Sequence, residues 1–520
     1  MSENLSAPLP VPKEALGDAI DMQVQESIHG HRFVQEQEPY MIVLETLAVC
    51  AVQPLGSTKP VENAHEAFQY ALPHRRKLRF LLFQDRHLDH VAEDRTIPDQ
   101  DKWETWKARA NDQFYPNHKG QDAFAYLDEA FECDVKALRQ AVRLLRSQEV
   151  DVMHNRRWTS RFLAVTGPDM ICTDMREKQG SWTADRRFFG RGGELVYLML
   201  NRSTQVDEVS ALVTQRILNK DDPMNQIARA LSDPAGSGQA STHIGYLPYR
   251  HLPAYDRLAE DWFNILSCNR LPEGHLFEPL FRITGLNLIV YLAERAQTEM
   301  NAAAREPIIA DLTDGGNAHL RDDAKKHLNL HRDAANGAVR AFITRGLAED
   351  EAWGKALELD DPGVAKRVIA ERFSFKAKDE NARSPEGQVE ALIEKAISRD
   401  KNNVYRYLLP LAKGSGLVTS RQRVGPWFAL DDSLLFALVL ANADKTIELR
   451  EFVARLYERY GLVIGPQEAR NAFGRIHAER FEENLSALEA RLTRLALTQR
   501  LSDDCAFVIN PYREPQKIHE

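Results

Sequence analysis

Between residues 387 and 430 the sequence changes its apolar period twice, and this restricts the local fold more than any other feature of the chain. Val389, Leu392, Ile393 and Ile397 fall on one face of a helix over 387–398. A break at Arg399-Asp400 leads to a second helix, Asn402 to Lys413, carrying Val404, Leu408, Leu409 and Leu411. Gly414-Ser415-Gly416 ends it, because glycine takes a left-handed backbone at little cost. Leu417-Val418 and Trp427-Phe428-Ala429-Leu430 then read as two strands, with Gly425-Pro426 near the tip between them. Helix, turn, helix and hairpin in this order form a winged-helix-like unit over 387–432.

A second such unit is expected over 433–514. Leu434 to Leu440 reads as a buried helix, Thr446 to Tyr460 as an amphipathic one, Pro466 to Phe473 as a short one and Asn484 to Arg500 as a long one. Cys505 to Ile509 closes it as a strand. Asp503 and Asp504 beside Arg500 leave this unit without a basic excess, so a structural or protein-docking role is expected of it.

Charge separates the two units. The chain as a whole has 67 Lys and Arg against 76 Asp and Glu, a net charge of −9. From Lys401 to Leu430 there are five basic residues, Lys401, Arg406, Lys413, Arg421 and Arg423, and no acidic one. A local reversal of sign suits contact with a polyanion, while the anionic remainder favours weak, partner-assisted binding. Double-stranded DNA is the expected partner. Tyr405 and Arg406 would lie near a groove, with Lys413, Arg421 and Arg423 on phosphates and Lys401 in the same surface. The competing reading is a solvated face on a structural unit, since fold alone does not decide function.

The rest of the chain is read more coarsely. With 520 residues, several cores are expected, and the fold class is mainly α with small β elements, multidomain. The divisions are an N-terminal arm over 1–35, a mixed α/β domain over 36–233 and a helical middle domain over 242–386. Tyr40 to Val49 is a buried helix or strand, Leu78 to Phe83 is strand-like, and 122–149 has helical spacing. Phe162 to Val165 and Met170 to Cys172 read as short strands, Glu194 to Leu200 as a helix, and Pro234 to Ser241 as a loop and hinge. The five cysteines are widely spaced without a CxxC pair, which fits neither a zinc ribbon nor a disulfide scaffold. No run of 18 uncharged apolar residues occurs, and Met1 to Lys13 is polar, so a cytoplasmic protein without a membrane partner is expected.

Catalytic signatures are few. Gly236 to Thr242 has glycines but no lysine, so it is not a phosphate loop, and no cofactor is expected. His327 and His331 share a helix face, but Leu328 stands where a zincin needs glutamate, which favours a solvated face over metal. Asp85-Arg86-His87-Leu88-Asp89-His90 is the densest acid–base group. A metal-dependent nuclease using Asp85, His87 and His90 is therefore one alternative function. A pure protein-interaction scaffold is the other. Arg191-Gly192-Gly193-Glu194 reads as a tight structural turn, and no GxSxG elbow occurs. No catalytic or metal-binding residue is assigned.

Gly190-Arg191-Gly192-Gly193-Glu194-Leu195, and Cys268-Asn269-Arg270-Leu271-Pro272 leading to Leu286 through Leu292, give the chain, with its winged-helix-like units, a family likeness. It resembles winged-helix-containing core proteins of bacterial multigene phage-defence systems. That resemblance implies a non-catalytic accessory, assembly or DNA-engaging subunit working with a separate ATPase, nuclease or methyltransferase. It carries over no catalytic residue.

Overall fold

The middle of helix Phe277–Glu299, residues 283–292, is uncharged and buried on all sides, so in water it needs a shell of other helices. In the computed structural model that shell is supplied by helices Pro39–Val52, Pro253–Leu266, Ala318–Ala348, Val404–Ser415 and Asp432–Asn442. The stretch Glu273–Glu299 is long and apolar enough to cross a bilayer, but 78% of its apolar window is buried inside the protein. The structure describes residue 9 and residues 20–30, 37–57, 69–115, 121–150, 157–178, 181–185, 191–233, 239–376, 383–402, 404–502 and 505–513. The fold is mainly α, 62% helix and 10% strand.

Tyr40 to Val49, open to either reading by period, is helical within Pro39–Val52, with proline in the first turn where its missing N–H costs nothing. This helix lies against Gly192–Asn201. A Cβ on Gly193 would come within 2.6 Å of the Thr46 backbone nitrogen, so only glycine permits this approach. Residues 20–29, inside the expected arm, form a helix whose Val24 and Ile28 are buried with residues of helices 318–348, 362–373 and 385–402. A further core cluster gathers Phe80, Trp103, Trp106, Phe124 and Leu138 from the short helices of 76–146.

Three expectations for residues 36–241 are corrected. Leu78 to Phe83 is not a strand but part of helix Arg76–Phe83. That helix aims the fully buried Arg79 at the Cys172 sulfur and at the carbonyls of Thr159, Arg161 and Thr173. Met170 to Cys172 forms no strand, because Arg75 takes the Ile171 carbonyl and Arg79 the Thr173 carbonyl that a neighbouring strand would need. Gln239 to Ser241 is not loop but the start of strand Gln239–His243, antiparallel to Gln69–Pro73. The remainder of the expected hinge, 234–238, lies outside the described residues. Phe162–Leu163 does pair, with Glu149–Val150.

Near the C-terminus, helices Pro385–Asn402 and Val404–Ser415 lead into an antiparallel hairpin, Val418–Arg421 with Gly425–Phe428. Gly416, at φ +86, ends the second helix. The hairpin tip is Gln422 to Val424, with Arg423 at φ +68, so Gly425 opens the second strand rather than the turn. Helix Asp432–Asn442 follows. Thr446–Glu448 is a strand before helix Leu449–Tyr460, and the long helix runs Ala478–Arg494, giving way to strand Thr498–Ser502. Both departures from the expected helices arise because Cys505–Ile509 pairs with each of these strands, in the order 446–448, 505–509, 498–502. An extended segment stitches the hairpin to strand Leu462–Val463. Ile308–Ile309 runs parallel to Leu462–Val463, and Asp311 bridges Ala429.

Candidate nucleic-acid interface

A two-stranded hairpin of four residues a side is marginal alone and needs anchoring. Trp427 supplies the anchor. Its ring is fully buried and its indole N–H donates to Asp311 Oδ2 at 2.9 Å. The same carboxylate accepts from the Thr313 amide and hydroxyl and from the Gly315 amide, at 2.7–2.9 Å. Asp314 and Gly315 are both left-handed, and the Cβ position of Gly315 lies 3.3 Å from the Trp427 ring. Phe428, next along the strand, meets the His331 ring edge-on at 5.2 Å. His331 is buried, and burial pushes its pKa down to about 4. It is therefore not on a solvated face. Four residues earlier, His327 Nδ1 lies 2.5 Å from Glu306 Oε1.

On the outer side, Lys413, Arg421 and Arg423 are exposed. The Arg421 guanidinium donates to the Asp314 carbonyl. Among the described residues none of the three has a carboxylate within ion-pair distance. Cations around them are consumed differently: Arg491 pairs with Asp314, Arg480 with Asp323, Arg494 with Asp432 and Arg282 with Asp431. Lys401, Tyr405 and Arg406 sit on the two helices, but their side chains lie outside the described residues. Helix 404–415 turns Leu408, Leu411 and Ala412 inward and packs against helices 277–299 and 385–402.

Two cations that the sequence reading did not single out stand beside the hairpin. Lys325 Nζ donates to the Val424 carbonyl at 2.6 Å. Arg321, one turn earlier on helix 318–348, has its Cδ 3.5 Å from the Gly315 Cβ position, which is also 3.7 Å from Arg421 Nη1. Only the Asp311 to Gly316 turn hinted at them, and nothing local says that it seats the hairpin.

The chain matches no protein-family model and no curated protein.

The other candidate groups have internal work. Asp85 Oδ1 accepts the His87 and Leu88 amides at 2.8 and 3.3 Å, and Oδ2 accepts the Trp106 indole at 2.8 Å. It caps a helix start, and Asp89 is held by Arg139 and Arg143. Among the described residues no group of three His, Cys, Asp or Glu side chains is placed to hold a metal ion. The helix start at Gly192-Gly193 already has its anion. The Glu45 carboxylate accepts the Gly193 and Arg191 amides at 2.8 and 3.1 Å, placing a charge from the chain itself at that helix start. Glu194, wholly buried, takes Tyr70 Oη at 2.5 Å and Arg191 Nε at 2.8 Å. The basic run 74–77 is likewise spent inside: Arg75 on Asp169, Lys77 on Asp233, Arg76 over the Phe114 and Trp182 rings.

Proposed function

We propose that this chain is a non-catalytic, nucleic-acid-associated subunit of a bacterial multiprotein complex, and that it meets duplex DNA through the 418–428 hairpin. One observation carries the reading. Arg421, Arg423 and Lys413 face solvent without a carboxylate partner among the described residues, in a chain that spends many of its other arginines on ion pairs or buried carbonyls. A cation kept free of local acids gains most from an external polyanion, chiefly by releasing counterions. The elements over 432–509 run helix, strand, helix, the short strand 462–463, two helices and two strands; the first strand lies beside the last, which supports reading that region as a winged helix as well. The defence setting, and partners such as an ATPase, nuclease or methyltransferase, rest on the resemblance carried by residues 190–195 and 268–292.

A mobility-shift series on a 30-base-pair duplex tests this. Arg421→Glu with Arg423→Glu is expected to weaken binding roughly tenfold or more at low salt, because two phosphate contacts become repulsive. Unchanged retardation would end the proposal.

A further inference from the structure

We infer that the nucleic-acid surface does not stop at the hairpin but continues onto the first turns of helix 318–348, where Arg321 and Lys325 take duplex phosphates without reading bases. The inference rests on the reading of the hairpin given above and extends it to elements about a hundred residues away in sequence. Residues 321 and 325 are four apart on one helix and so share a face. The Cβ position of Gly425 lies 3.7 Å from Lys325 Nζ, and that of Gly315 lies close to both Arg321 and Arg421. Arg321 therefore meets Arg421 at Gly315, and Lys325 meets the hairpin at Val424 and Gly425, across the seam between helix and hairpin. Acids beside these cations are already paired. Asp322 pairs with Arg321 at 3.1 Å, and the Asp314 carboxylate is taken by Arg491. The balance remains positive.

The character of the readout follows from what the face lacks. Single-stranded nucleic acid is gripped by stacking bases on exposed aromatic rings. Among the described residues of the hairpin and of the first turns of the helix, the Trp427 and Phe428 rings are buried and His319 offers one exposed ring, too little for a stacking platform. What is left is a short cationic track suited to backbone phosphates, which position a duplex without reading its sequence.

The test measures fluorescence anisotropy of the full chain with two duplexes of unrelated sequence across a salt series. Arg321→Gln with Lys325→Gln keeps a polar donor at each position and removes both charges. The slope of log affinity on log salt should become shallower by roughly 1.8, at roughly 0.9 per phosphate contact, and equally on both duplexes. Arg321→Gln alone, which leaves the Lys325 bond to Val424 intact, should lose about half of that. If the double variant keeps the full slope while Arg421→Glu with Arg423→Glu loses it, the track ends at the hairpin and the extension is wrong. If the hairpin variant also keeps the full slope, the hairpin reading itself is wrong. A tenfold preference for one duplex would overturn base-independent contact.

Discussion

Asp174 is wholly buried. One oxygen accepts from the Ser160 hydroxyl at 2.5 Å, and the other has no hydrogen-bond partner among the described residues. Burial pushes its pKa up to about 6, against the Ser160 bond and the nearby Arg79 charge. A carboxyl raised on folding stabilises the fold below its unfolded pKa and loses that contribution as pH rises through the folded value. Asp174→Asn mimics the protonated form. It should stabilise the protein at pH 7.5 by up to about 3 kcal/mol and leave it nearly unchanged at pH 4. Urea unfolding midpoints at the two pH values check this, and an Asn variant less stable at pH 7.5 contradicts it. The role of such residues was closed to sequence reading. Ser160 and Asp174 are fourteen positions apart in a stretch with no regular period, and what unites them is burial beside Arg79, itself hidden in an apolar run that looked like a strand.

The hairpin shows how far an element could be read. Gly416 and the switch from helical period to short apolar runs placed its outer ends within two residues, because those signals are local, while the tip lies at 422–424 and not at Gly425-Pro426. Its support was not legible, since Trp427 finds Asp311 more than a hundred residues upstream. The strands 446–448 and 498–502 were hidden for the same reason: each continues or adjoins a helical pattern, and only pairing with 505–509 makes it a strand. Asp311→Ala removes four hydrogen bonds and leaves a buried indole N–H unpaired, which should cost about 3 kcal/mol. Hydrogen exchange gives the discriminating readout. Amides of 418–428 should lose protection while those of 432–442 keep theirs. Equal loss in both would show that the Trp427 anchor has no local role.

At the scale of the molecule, the largest apolar cluster takes residues from Tyr40 through Val508. A Cβ on Gly414 would stand 2.5 Å from Pro39 Cδ, so the helix before the hairpin rests directly on the first core helix. Asp261, fully buried, receives Arg459 at 2.5 Å, Tyr460 Oη at 2.8 Å and Asn287 Nδ2 at 2.6 Å, tying helix 449–460 to the middle of the chain. Stripping one partner from such a buried charge costs about 3–5 kcal/mol. A chain ended at residue 386 would lose that partner and also bare the flank of helix 277–299 now covered by 404–415 and 432–442. It is expected to aggregate on expression. A soluble monomer with native-like circular dichroism would refute this. Apolar spacing revealed the helical class, but not that segments so far apart share one interior, because periodicity reports which face is apolar and never what covers it.

The backbone at 308–311 has a mechanical consequence. Its amides bond to Gly461 and Val463 on one side and to Phe428 on the other, so tension applied at the hairpin is shared with the segment that follows helix 449–460. A polymer gripped there would be held at a set angle to the body, and turning it would mean turning the whole protein.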